Sequence, residues 1–286
     1  MKKTLFLIPM FAIAMLTGCV QKGGDGRSSQ STPSGSSSQG GGGGGESLEG
    51  YYSSITSDMS GDTLLSKLNQ LNSAKRKKTI GYDGMRSKFQ YVDTCPEANG
   101  KIVGFYNNDL IGPSWDSGKT WNREHVWPNS KGAGDKGTLA SPWIEADIHM
   151  VRPTSKSINE DRGNDYYSKN KYDPGQFIAE YRGIAARIIF YCAIADTRLK
   201  IIDSDTGSSP NMGKLSDLLE WNLQYLPNTS SSASLAYKVE QYRNEAIYSR
   251  SDMQGNRNPF IDHPEFACKI WGNTNFTTKS ICQGHM

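Results

Sequence analysis

Trp121-Asn122-Arg123-Glu124-His125-Val126-Trp127-Pro128-Asn129-Ser130 sets a carboxylate beside an imidazole just where an apolar segment is about to break at a proline. About twenty residues later come Asp147-Ile148-His149-Met150-Val151-Arg152-Pro153 and then Ser157-Ile158-Asn159-Glu160-Asp161-Arg162-Gly163-Asn164. Together they supply one base, a carboxylate and an amide able to hold a hard cation, and an arginine for an anion. That set suits phosphodiester hydrolysis. A water must lose a proton as it attacks phosphorus, which a positioned base accepts. Charge then builds on the phosphoryl oxygens and the leaving 3′ oxygen, where a divalent cation stabilises it. Mg²⁺ keeps several waters and uses one or two protein ligands plus phosphate, so Glu124 and Asn159 suffice in number. The motif carboxylates Glu124, Asp147, Glu160 and Asp161 lack the dense acidic pattern of a two-metal site. One histidine and one metal make the economical mechanism.

Neighbouring residues of a regular strand point to opposite faces. Glu124 and His125 can therefore serve one phosphate only where the strand ends or kinks, and Trp127-Pro128 marks such a place. Asn159 must return to the same point, as a strand pair followed by a short helix would allow. Around this unit the pattern predicts a helix over 60–71 with Leu64, Leu65, Leu68 and Leu71 on one stripe, and strands over 101–106, 119–127 and 145–151. Residues 157–161 begin a helix or tight turn. A core helix spans 176–196, two more span 215–226 and 234–248, and 254–266 reads as a loop rich in amides, prolines and aromatics. The fold class expected is α+β, one domain from 48 to 286.

The bland readings differ from residue to residue. His125 would be a packed histidine, Glu124 a surface ion-pair partner, Asn159 a helix cap and Arg162 a partner in an internal salt bridge. Asp147 and His149 read either as groups that hold the site or as groups that touch substrate. Asp262 and His263 read as structural, and Trp121, Trp127 and Trp143 as core.

The two ends say where the protein works. Lys2 and Lys3 precede an apolar run, Leu5 to Leu16, that ends in Leu16-Thr17-Gly18-Cys19. This reads as a lipoprotein signal peptide over 1–18 with Cys19 as the lipidated residue; the run is short for a span of about 20 residues. Residues 19–47, chiefly Gly, Ser and Gln, form a flexible tether. The chain is formally +3, and loss of Lys2 and Lys3 lowers it by two to +1, which excludes a polycation that coats nucleic acid. Lys75-Arg76-Lys77-Lys78 is either a local basic patch or a solvated helix end. Apart from Cys19 there are Cys95, Cys192, Cys268 and Cys282, without the paired spacing of a structural zinc site. Two disulfides could form, and Cys268–Cys282 is the expected one; Cys192 sits in an apolar helical run as a buried thiol.

Asn122-Arg123-Glu124-His125-Val126-Trp127-Pro128, Asp147-Ile148-His149, Asn159 with Arg162-Gly163-Asn164, and the late block Gln254-Gly255-Asn256-Arg257-Asn258-Pro259-Phe260-Ile261-Asp262-His263-Pro264 resemble, in order, the signature of the bacterial endonuclease I family of the ββα-metal (His-Me finger) superfamily. The resemblance implies a monomeric, exported, non-specific nuclease that cleaves DNA, and often RNA, to 5′-phosphate products. It implies His125 as general base, Glu124 and Asn159 as ligands of one Mg²⁺ or Mn²⁺, and Arg162 as the phosphate-stabilising arginine, with Asp147, His149 and Asn164 in support or at the substrate. The loop after His125 departs from better-known members in carrying lysines, Lys131 and Lys136, but no arginine. With the lipid anchor, the expectation is an extracytoplasmic enzyme on a membrane surface. The rivals are a phosphodiesterase for small nucleotides or a cell-surface polymer, and a catalytically inactive nucleic-acid-binding lipoprotein.

Overall fold

In the computed structural model the described residues are 45–94, 100–134 and 144–286. The signal peptide, Cys19, most of the tether, Cys95, Lys136 and Trp143 lie outside them. From Gly44 to Met286 the chain forms one unit, of the expected α+β class. Its elements are α1 (Gly61–Lys75), α2 (Phe89–Val92), β1 (Ile102–Val103), β2 (Leu110–Ile111), β3 (Trp121–His125), β4 (Val151–Ser155), α3 (Lys156–Arg162) and α4 (Tyr181–Ala195). They continue with β5 (Lys200–Ile201), β6 (Asn211–Met212), α5 (Leu215–Gln224), α6 (Leu235–Ser249), α7 (Pro259–Asp262), α8 (Phe266–Trp271) and α9 (Phe276–Ile281).

Helix α4 is the centre of the core. Every residue but Arg182 is buried, as a helix apolar on all sides must be, and α1, α5, α6 and α7 pack around it. Its one buried charge, Arg187, meets Glu240 of α6 in two parallel hydrogen bonds of 2.7 and 2.8 Å. That fork geometry keeps the desolvated pair tolerable. The helix starts later than the expected 176: residues 176–180 turn instead. Asp173 draws them round, accepting from Gly175 N at 2.8 Å and from the Arg182 guanidinium.

The unit that matters for chemistry is β3–β4–α3. The two strands are antiparallel, from Trp121 opposite Ser155 to His125 opposite Val151. Helix α3 follows β4 without a loop and packs back on both strands. Seven helical residues rise about 10 Å and a five-residue strand about 16 Å, so the far end of α3 returns to the His125 end of the hairpin. The expected ββα unit is therefore present.

The strand expected over 145–151 is not. Residues 144–146 form a 3-10 turn, 148–150 a tight turn, and β4 begins only at Val151. Ala146, Ile148 and Met150 alternate as in a strand, but the Asp147 carboxylate accepts the His149 N–H at 2.8 Å, a side-chain-driven turn. Asp147 and His149 are buried in that turn, and neither lines the cleft at the His125 end of β3. Asp147 also accepts from Tyr191 OH at 2.7 Å, from Gln254 Nε2 at 3.0 Å and from Arg76. His149 Nε2 donates to Asn256 O at 3.2 Å. The two residues tie this turn to the 254–258 segment, so they act as fold anchors. Arg76 is correspondingly turned inward, and the 75–78 run is neither a continuous basic patch nor a wholly solvated helix end. The amides of the late block have the same structural use: Gln254, Asn256 and Asn258 are buried, and Asn258 caps α7 by accepting from Phe260 N at 3.0 Å.

Burial lowers the His149 pKa from 6.5 to about 4, against the opposing pull of Asp147. The unfolded chain thus binds a proton between pH 6.5 and 4 that the native protein refuses. Stability present above pH 6.5 should fall by on the order of 3 kcal/mol as pH drops toward 4, and His125 adds in the same sense. Urea denaturation across this range should show that slope, shallower in His149→Gln; an identical slope would clear His149 of the effect.

Cys268 and Cys282 are joined as expected, tying α8 to the end of α9. Cys192 is a buried free thiol of α4.

Candidate active site

At the end of the ββα unit lies a cleft of about 220 Å³ lined by Arg123, Glu124, His125, Pro128, Asn129, Asn159, Arg162, Gly163 and Asn164. Five residues that the sequence marks as candidates (Glu124, His125, Asn159, Arg162 and Asn164) share this cleft, while Asp147 and His149 do not. The strand-face difficulty is met as the chain pattern requires. His125 is the last paired residue of β3, and beyond it the chain turns at Pro128, so consecutive side chains face one cavity.

Arg162 holds that turn in place. Its Nη1 donates to His125 O at 3.2 Å and to Gly163 O at 3.2 Å, and its Nη2 donates to Val126 O at 3.0 Å. It is 1 % exposed, and Nη1 lies 3.4 Å from Glu124 Oε1. Most of its donors are thus committed to the main chain of the strand end, which is a positioning task; its buried Nε has no hydrogen-bond partner. Gly163 follows α3 at a φ of 57°, a conformation that favours glycine, and presents its carbonyl to Arg162.

Glu124 is 1 % exposed. Tyr106 OH donates to its Oε1 at 2.9 Å, and Tyr106 OH is itself 2.5 Å from Tyr167 OH. Burial raises the Glu124 pKa, opposed by Arg162 and the tyrosine hydroxyls. The net direction is upward, so the carboxylate has less positive charge around it than its burial demands. A cation in the cleft would correct that. The donors available to one are a carboxylate and the amide of Asn159, both hard oxygens. Among the described residues no group of three or more His, Cys, Asp or Glu converges into a closed cage. The residues therefore fit an ion that keeps water and accepts phosphate.

His125 is stacked on Tyr82 at 5.1 Å with 30° between the rings, and its Nε2 is buried without a hydrogen-bond partner. Burial, reinforced by the Arg123 and Arg162 charges, lowers its pKa from 6.5 to about 4. The ring is neutral at pH 7 and able to accept a proton.

Sequence reasoning does not reach Tyr106, Tyr167, Tyr82 or Arg123 as site residues. Arg123 carries a signal, as the neighbour of Glu124; the tyrosines carry none, Tyr106 and Tyr167 being distant in sequence from the Glu124 carboxylate they serve and Tyr82 from the His125 ring it stacks on. Tyr106 sits at φ 83°, a conformation a bulky residue adopts only when its surroundings impose it. That geometry aims its hydroxyl at Glu124. Tyr106→Phe should weaken divalent-metal affinity by about 10–100-fold, as loss of a group that orients a ligand does. Mn²⁺ titration calorimetry would show it; unchanged affinity would leave the hydroxyl with a packing role.

A family model described as Endonuclease I matches residues 60–177 and 167–265. The chain is 34% identical over 247 residues to an extracellular ribonuclease of Bacillus amyloliquefaciens, covering 78% of each protein. It is 33% identical over 235 residues to an extracellular ribonuclease of Bacillus subtilis (strain 168), covering 74% of this chain and 75% of that one.

Proposed function

The chain belongs to the endonuclease I family, and on that premise we propose that this nuclease is an exported, metal-dependent enzyme that hydrolyses both RNA and DNA to 5′-phosphate products. The observation that carries the reading is the convergence of Glu124, His125 and Asn159 on one cleft.

His125 Nε2 takes the proton of the attacking water; its neutral ring and unpartnered nitrogen suit that task. Glu124 and Asn159 would hold one Mg²⁺ or Mn²⁺. When bound, the ion supplies Lewis-acid stabilisation of the phosphoryl and leaving oxygens. Arg162 keeps the carbonyls of His125 and Val126 in place, so that base and ligand stay in register. Arg123, the other guanidinium of the cleft wall, adds positive charge beside the place of the phosphate. The nucleophile is water, so the 2′-hydroxyl of the substrate is not needed, and the same groups serve ribose and deoxyribose. The names of the two Bacillus relatives support RNA as a substrate, and their extracellular location supports export. The Leu16-Thr17-Gly18-Cys19 sequence supports a lipid anchor at Cys19 on a membrane surface.

The test is cleavage of supercoiled plasmid and of unstructured RNA, in Mg²⁺, in Mn²⁺ and in EDTA, with end-group analysis. Metal-dependent loss of both substrates with 5′-phosphate ends is expected. Ribonuclease activity that persists in EDTA and yields 2′,3′-cyclic ends would overturn the mechanism. A folded protein that binds but cuts neither substrate would overturn the activity.

A further inference from the structure

A second cavity, of about 500 Å³, is lined by Asp83, Arg86, Ser87, Gln90, Pro113, Ser114 and Trp115. Arg123 links it to the cleft through its contacts with Asp83 and Trp115. It lines the catalytic cleft, yet its guanidinium lies 3.4 Å from the Tyr82 ring centroid and 5.3 Å from that of Trp115. Its Nη1 donates to Tyr82 O at 2.8 Å and to Asp83 Oδ1 at 3.3 Å. Tyr82 in turn stacks on His125. Rings and guanidinium planes thus run without a break from the catalytic imidazole to the indole of Trp115.

Resting on the nuclease reading of the cleft, we propose that this groove binds one unpaired nucleobase, that of the nucleotide flanking the scissile phosphate, and so favours single-stranded substrate. Half-buried Trp115 is braced edge-on by Trp121 at 4.8 Å, and Arg86 lies 5.3 Å from its ring centroid. Indole and guanidinium planes stack on any base. Ser87 and Gln90 add a hydroxyl and an amide for a base edge. Asp83 Oδ1 accepts from Arg86 Nη2 at 2.7 Å and from Arg123, and the side chain is 78% exposed, so its second carboxylate oxygen suits the N–H edge of a base. In a duplex that edge is paired and both faces are stacked, so a base reaches the groove only from a single strand or after unpairing.

The experiment compares wild type with Trp115→Ala on a short single-stranded oligodeoxynucleotide and on the same sequence as duplex. Stacking on an aromatic residue contributes about 1–3 kcal/mol per base by alanine substitution, roughly 5- to 150-fold. That loss in kcat/KM is expected on the single strand, with a much smaller one on the duplex. Trp115→Phe should restore most of it. Arg86→Ala, whose contacts are at the surface, should fall in the same direction, which keeps the test valid if Trp115→Ala misfolds. Equal losses on both substrates, or none, from an active enzyme would overturn the groove and leave the nuclease reading standing. If the wild type cuts nothing, oligonucleotide anisotropy in EDTA decides. Weaker single-strand binding by the variants supports the groove; unchanged binding overturns it.

Discussion

His125→Ala is expected to lower kcat by about 10²–10⁴-fold, the usual contribution of a positioned general base, while leaving divalent-metal affinity within a few-fold of wild type. The split follows from the cleft. On the proposed roles the imidazole would supply a proton acceptor, and the cation would be held by other side chains, Glu124 and Asn159. Calorimetry with Mn²⁺ beside a cleavage assay would read both quantities, and near-normal turnover would remove His125 from the role. The pH profile carries a second, independent expectation. A base works when deprotonated, and the His125 pKa is lowered to about 4 by burial and two neighbouring guanidinium groups. Activity should therefore persist through pH 5–6, where an ordinary imidazole of pKa about 6.5 would already be protonated, and fall only as pH approaches 4. The same burial gives a stability loss over that range, so kcat must be measured where circular dichroism still shows native protein. An acid limb near 6.5 in folded enzyme would mean that the ring is far better solvated than its place between Tyr82 and the hairpin end allows.

Glu124 should show the other large effect, in a form that depends on the substituent. Glu124→Gln keeps the shape and an oxygen near Tyr106 but removes the charge. Metal binding should weaken sharply, and cleavage should drop by at least about 10³-fold, since the cation is asked to supply several kcal/mol at the phosphoryl oxygens. Both Glu124→Gln and Glu124→Ala leave Arg162, 1 % exposed and 3.4 Å away, without its counter-charge, but Glu124→Gln still offers an oxygen to Arg162 and Tyr106 and fills the space. Glu124→Ala removes the acceptor and opens a cavity as well, and should destabilise the fold by about 3–5 kcal/mol. The comparison separates catalysis from folding. Glu124→Gln should remain folded and inactive, whereas Glu124→Ala should melt early. Equal stability of the two variants would mean that the main-chain carbonyls alone satisfy Arg162. Full activity of Glu124→Gln would overturn the ligand assignment.

The contrast between Glu124 and Asp147 shows where local reading stops. Both are carboxylates in apolar surroundings within motif segments, and both precede a histidine, at one residue and at two. One lines the cleft and the other is sealed inside a turn. What distinguishes them is a partner set drawn from distant segments: Tyr106 and Arg162 for Glu124, Arg76, Tyr191 and Gln254 for Asp147. The mistaken strand over 145–151 has the same origin. Alternation of Ala146, Ile148 and Met150 is what a half-buried strand and a wholly buried turn have in common. The hydrogen bond that chooses between them, from His149 N to the Asp147 side chain, leaves no periodicity.

Chemistry that rides on adjacent residues is legible in the chain itself. The Glu124-His125 pair ahead of a proline, the Asn159 that must return to it, the long apolar run of α4 and the Cys268–Cys282 spacing each follow from one stretch of sequence, because side-chain type, strand alternation and helix pitch are local properties. Three things are decided only by the tertiary structure: that Arg162 spends most of its donors on the carbonyls of a strand end, that Tyr106 is held at positive φ to reach Glu124, and that Trp115 stands beside the cleft across Arg123. Each depends on which distant groups burial brings together. Desolvation then sets the state of those groups, keeping His125 neutral and holding a carboxylate short of positive charge, and no pattern along the chain encodes how much water the finished fold excludes.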